Sequence, residues 1–129
     1  MRIASIDPGE KTGVIFFDSR GKVVLDSFTE RMETSYKEVL QFQPETVIIE
    51  SQPEHSDLNS ADLFYYNLFL KTFACVSINP GNWKPVANLR HWGSKFPDRH
   101  QKDAYNILRY WYFWIHREDI GDAVWINLG

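Results

Sequence analysis

Four polar residues of this 129-residue chain are spaced so that they could share one task. Asp7 closes the segment RIASID and is followed by Pro8-Gly9, Glu50 closes ETVIIE, and His100 and Asp103 stand three apart just after Asp98. Two carboxylates at neighbouring strand ends repel unless a proton or a cation neutralises them. Residues at i and i+3 share a helix face, so His100 and Asp103 can join such a pair from a helix laid over the strand ends. Several oxygen ligands plus water are what Mg²⁺ requires, and two metals about 3.5–4 Å apart clamp the attacking and leaving oxygens of a phosphodiester. The set fits metal-dependent phosphodiester hydrolysis.

Each residue also has an ordinary role. Asp7 before Pro8-Gly9 can open a turn, Glu50 can begin a loop, and an acid such as Asp103 near a helix start suits the helix dipole. Asp98 reads better as a helix cap than as a ligand. What favours the joint reading is that two strand-end acids and a helix pair arrive in the order one sheet would bring together. Two other signals fail. Gly9-Glu10-Lys11-Thr12-Gly13 has the letters of a phosphate loop but not the order GxxxxGK[ST]. Cys75 lies within a strand and reads as a buried apolar residue rather than a nucleophile.

The elements that must position these residues follow closely along the chain. Arg2–Asp7 and Thr12–Asp18 read as strands, 22–28 as a third joined through a turn at Ser19-Arg20-Gly21, and 34–42 as a short helix. Residues 45–50 form a strand whose Val47-Ile48-Ile49 run suits burial on both faces, as in a central parallel strand. A helix over 60–73, capped by Asn59 or Ser60, places Leu63, Tyr66, Leu70 and Phe73 on one side, with Phe64 and Leu68 near it. A fifth strand covers 74–78, and a loop rich in Trp, Gly and Lys leads to a last helix, Arg99–His116. There Asp98 and Gln101 have capping-box spacing, and Ala104, Ile107, Leu108, Trp111 and Ile115 form the apolar stripe. A short edge strand is expected around Ala123-Val124-Trp125-Ile126. The fold class is α/β: a five-stranded mixed sheet, three strands in an antiparallel meander and two parallel, flanked by helices in a single domain spanning 1–129.

Composition sets bounds. With 43% hydrophobic residues, nine Phe, six Tyr and five Trp, the chain can bury a real core. One cysteine excludes an internal disulfide framework, and no zinc-type Cys/His spacing occurs. There is no secretory leader pattern and no run near the ~20 apolar residues of a membrane span, so the expected location is the cytoplasm. The net charge is -3, yet residues 81–109 carry six Lys or Arg against two acids. Lys84, Lys95, Arg99 and Lys102 in that stretch are the candidate phosphate footprint, or else a solvated basic face. Trp83 and Trp92 either stack on exposed bases or pack in the core.

IASIDPGEKTGVIFFD, ETVIIESQ and HQKDAY together resemble the motifs of RuvC-like Holliday-junction resolvases, of the RNase H-like superfamily. Asn79-Pro80-Gly81-Asn82-Trp83-Lys84 and Gly93-Ser94-Lys95 are similar to the two loops that carry that family's lysines. The resemblance covers roughly residues 1–116. It implies a structure-selective endonuclease for four-way or other branched DNA, using Mg²⁺ with Mn²⁺ also active. Asp7, Glu50, His100 and Asp103 would be the catalytic and metal-binding set, and Lys84 and Lys95 would contact phosphates. Resolution of a junction needs two symmetric cuts, which implies a homodimer, expected through the helix over 60–73. His100 stands where many members carry an acid and some a His, and the compact length suits a bacteriophage or other mobile-element resolvase. The alternatives are an RNA-processing nuclease of the YqgF type or one that cuts RNA/DNA hybrids, and a non-catalytic nucleic-acid-binding module on the same fold.

Overall fold

The computed structural model describes residues 1–52, 58–92, 95–120 and 124–125. The first three strands, β1 (Arg2–Asp7), β2 (Thr12–Asp18) and β3 (Val23–Glu30), form an antiparallel meander in which β1 and β2 are buried almost throughout. The chain then forms α1 (Met32–Phe42), β4 (Thr46–Glu50), α2 (Ser60–Thr72), β5 (Cys75–Ile78), α3 (Pro80–Arg90), α4 (Arg99–His116) and β6 (Val124–Trp125). β4 lies parallel to β1, and β5 parallel to β4. The sheet order is β5-β4-β1-β2-β3-β6, which puts β1 and β4 side by side in its middle.

The sheet has two covered faces. Ile3, Ile15, Phe17 and Ile48 pack beneath α3 and α4, with Trp83, Ala104, Leu108 and Trp111. Ala4, Ile6, Val14, Phe16, Val47 and Ile49 point the other way, toward α1 and α2, with Met32, Val39, Tyr66 and Phe69. Burial on both faces explains the unbroken apolar run in β4. Asp7 shares the parity of Ile3 and Ser5, and Glu50 that of Ile48, so both acids belong to the α3/α4 face.

Several expectations change in detail. The strand expected over 22–28 runs on to Glu30, because Thr12 and Gly13 pair with Glu30 and Thr29. The expected loop after β5 is mostly the helix α3, started by the Asn79 side chain accepting from the Gly81 N–H and by Pro at its first turn. On α2, Tyr66 and Phe69 are buried, while Leu63, Phe64 and Leu70 are exposed, since Tyr36 of α1 packs on the side bearing Phe69 and Phe73. Ile115 is exposed because α4, about 27 Å long, outruns the sheet it covers. β6 pairs in parallel with the outer side of β3, and Ala123 and Ile126 lie outside the described residues. Cys75 is half-buried; its thiol donates to the Phe69 carbonyl, and burial pushes its pKa up to about 11, which keeps it unreactive. Among the described residues no helix is long and apolar enough to cross a membrane.

Candidate active site

The parallel register pairs Ile6 with Ile49, so the next residues, Asp7 and Glu50, leave the same end of the sheet on adjacent strands. Beyond Asp7 the chain turns through Pro8–Lys11, closed by the Thr12 hydroxyl donating to the Gly9 carbonyl at 3.0 Å. After Glu50 the exit is braced twice: the Ser51 N–H donates to the Ile78 carbonyl at 2.9 Å, and the Gln52 N–H to the Tyr66 hydroxyl oxygen at 3.2 Å.

The third part of the site comes with the first turn of α4. Gly13 is the register partner of Asp7, and a Cβ there would lie 2.0 Å from the His100 carbonyl oxygen. Only a residue without a side chain lets the helix backbone rest on β2 at this point. Buried Ser5 donates to the Ala104 carbonyl at 2.6 Å, which ties the next turn to β1. Thr29 of β3 donates to both oxygens of Asp98 at 2.8 and 3.0 Å, and Ser27 bonds to the Gln101 amide oxygen. Asp98 is the cap, accepting from the Gln101 backbone N–H at 2.9 Å and from its side-chain amide at 3.0 Å. Partial burial works against its charged form, but those hydrogen bonds outweigh it and hold its carboxyl below the usual range.

His100 and Asp103 are thereby delivered to the strand ends. His100 Nδ1 stands 3.6 Å from Asp7 Oδ2, beyond hydrogen-bond length but close enough to attract when the imidazole is charged. Asp7 is only 9% exposed, and burial, then the like charges of Glu50 and Asp103, push its carboxyl up to about 8 against the opposing pull of Lys84 and Arg99. Burial also raises Glu50 and Asp103 above the ordinary carboxylate range. Lys84 opposes the rise in all three acids, so it is their shared counter-charge.

These groups floor a cleft of about 680 Å³ in which Asp7, His100 and Asp103 face three cations, Lys11, Lys84 and Arg99. Glu50 is not among the lining residues; its Oε2 accepts the Trp83 indole N–H at 2.9 Å. Asn88, one turn beyond Lys84, also lines the cleft. Lys11 and Asn88 were not among the sequence candidates, although the position of Lys11 within the turn after Asp7 was a readable signal. Lys102 acts on Asp103 from the same helix. Lys95 is exposed just before α4 and does not line the cleft, and the neighbouring Gly93 and Ser94 lie outside the described residues. The base-stacking expectation for Trp83 and Trp92 is corrected: both rings are buried, 2% and 6% exposed, because the α3/α4 core uses them as filling.

Among the described residues no three His, Cys, Asp or Glu side chains close tightly enough to enclose a cation as they stand. In donor chemistry, three carboxylates and an imidazole suit a hard divalent cation, and a cation bound there would oppose the burial that raises the three carboxyl pKa values. Asp7, Glu50, His100 and Asp103 could hold such an ion, and the cationic rim could receive an anionic substrate.

No protein-family model matches the chain, and no curated protein matches it in sequence. Solved structures do. RuvC of Thermus thermophilus in complex with a Holliday junction substrate superposes with a TM-score of 0.60 at 14% identity, covering 92% of this chain and 98% of that one. A second Thermus thermophilus RuvC structure gives 0.56 at 15%, covering 92% and 99%. The fowlpox virus resolvase with its substrate Holliday junction DNA gives 0.56 at 15%, covering 81% and 94%. The chain has the RuvC-like variant of the RNase H-like fold.

Proposed function

We propose that this protein is a metal-dependent endonuclease that resolves four-way or other branched DNA junctions by paired hydrolysis. The observation that carries the reading is the meeting of Asp7, Glu50, His100 and Asp103 at one sheet end, under a rim of Lys11, Lys84 and Arg99. The likeness to resolvases whose structures include Holliday junction DNA supports the substrate class.

Asp7, Glu50 and Asp103, with His100 completing the set or placing the water, are the residues that would hold Mg²⁺ or Mn²⁺. When bound, the ion supplies an activated water and neutralises charge gathering on the phosphate. Lys84, Arg99 and Lys11 draw the phosphodiester into the cleft and hold it over the carboxylates. Water adds to phosphorus in line, the bond from phosphorus to the 3′ oxygen breaks, and the products are a 5′ phosphate and a 3′ hydroxyl. Two cuts across a symmetric junction call for two copies of the site, and α2 offers Leu63, Phe64 and Leu70 as an exposed apolar face for a homodimer.

The test is cleavage of a labelled synthetic four-way junction in Mg²⁺ and in Mn²⁺, with linear duplex and an RNA/DNA hybrid as controls. Paired symmetric nicks in the junction alone, abolished by Asp7→Asn with binding retained, are expected. Because an imidazole is a softer ligand than a carboxylate, Mn²⁺ is expected to support at least the rate of Mg²⁺. Cutting of the hybrid alone would reassign the substrate, and junction binding without cleavage in either metal would leave a binding module.

A further inference from the structure

Trp83 sits at the join between the core and the cleft. Trp83 is 2% exposed among the apolar residues under α3 and α4, and it also lines the cleft. The indole N–H donates to Glu50 Oε2 at 2.9 Å. Among the described residues the Glu50 carboxylate has no other hydrogen bond and no ion pair, so this single bond sets which way it faces. α3 itself is anchored by the Asn79 cap, and the next residue, Lys84, is the counter-charge of the whole carboxylate cluster. One turn of one helix thus supplies both a fixed donor for Glu50 and the cation that neutralises it.

We infer that Trp83 is a positioning residue: its indole N–H holds one oxygen of Glu50 and leaves the other turned toward the cation site. This rests on the metal-dependent reading above and adds to it a residue whose action passes through Glu50. A carboxylate pivoting freely on an extended side chain loses rotamer freedom when it takes up a ligand, and a hydrogen bond made beforehand removes that cost. The competing account is that a buried indole N–H needs some acceptor and Glu50 merely provides one.

The two accounts separate in a DNA-free experiment that needs no variant to fold. In ¹H–¹⁵N spectra of the ¹⁵N-labelled protein, the Trp83 indole resonance is followed as Mg²⁺ is added, beside the backbone amides of Asp7, Gly13 and His100. The expected result is that the indole resonance moves with the same midpoint as those amides. Trp83→Phe, which keeps an aromatic ring in the core but lacks the donor, is expected to raise that midpoint and to lower junction cleavage about 10-fold, leaving junction affinity unchanged. On a Glu50→Gln background the same substitution is expected to cost little more, because both act through one carboxylate. A stationary indole resonance while the amides shift, or losses that simply multiply in the double variant, would overturn the positioning role and leave Trp83 as core filling. If no cleft resonance responds to Mg²⁺ or Mn²⁺, the metal-dependent reading itself fails and the positioning role with it.

Discussion

Asp7→Asn should make the metal-free protein more stable above neutral pH. Asp7 is held at the sheet end beneath α4, and its carboxyl titrates at about 8 instead of 3.8 through burial, then the charges of Glu50 and Asp103. The folded-state value is the raised one, so the favourable contribution of the protonated group is complete below about pH 4. It is lost as pH climbs toward 8, where the unfolded chain has released its proton and the folded chain has not. A displacement of this size at about 1.36 kcal/mol per pH unit caps the penalty near ~5 kcal/mol at pH 8. Water entering the cleft relieves part of the cost of burial, which brings the expected difference to about 2–3 kcal/mol, or about 10 °C in Tm for a domain of this length. The assay is urea or thermal unfolding in EDTA from pH 4 to pH 8.5 for both proteins. The wild type should fall progressively below Asp7→Asn as pH rises, and excess Mg²⁺ should return the wild type toward the variant, since a cation bound only by the folded state adds to stability. Parallel pH profiles for the two proteins would refute the claim that Asp7 is the strained acid.

Three further outcomes are expected. Gly13→Ala places a methyl 2.0 Å from the His100 carbonyl oxygen, so α4 must lift from β2; stability should drop by about 2–3 kcal/mol in denaturant titrations and cleavage by about 100-fold, with junction binding less affected. Lys84→Met removes the shared counter-charge, and gel-shift titrations against salt should show weaker junction binding with a log–log slope shallower by about one ion. Phe64, 60% exposed on α2, should tolerate Glu without loss of fold, and if the proposed dimer uses α2 the parent chain should sediment as a dimer and Phe64→Glu as a monomer.

The parts of the fold that sequence reveals here are those with local causes. β1 and β2 are short apolar-rich runs separated by the Pro8-Gly9 turn, β4 is an apolar run of strand length, and α4 announces itself through Asp98 and Gln101. α3 was hidden because Gly81, Pro85 and two asparagines are poor helix formers; its stability comes from burying Trp83 and Ala87 rather than from propensity. The Asn79-Pro80 pair was nevertheless a start signal. In the site, Asp7 and Glu50 were legible as strand-end acids once β1 and β4 were taken as neighbours, and His100 and Asp103 as one face of a capped helix. The tryptophans were not legible: an indole in a basic stretch reads the same whether its ring faces solvent or core, and only the tertiary packing of α3 on α4 decides. Nor does local pattern reveal Gly13, whose need for a bare backbone arises from a helix 87 residues further along the chain.

That contact between Gly13 and the start of α4 also bears on when the acid cluster is assembled. A chain emerging from synthesis completes β1 through β5 well before α4, and at that stage Asp7 and Glu50 stand on a bare sheet face with neither His100 nor Asp103 beside them. The same late helix supplies Arg99 to the rim and covers the apolar face of β1, β2 and β4. Gain of a hydrophobic lid and gain of His100 and Asp103 are therefore one event, and a truncated or half-folded chain carries no assembled cluster. For the proposed nuclease, completion of the fold would itself be the safety catch.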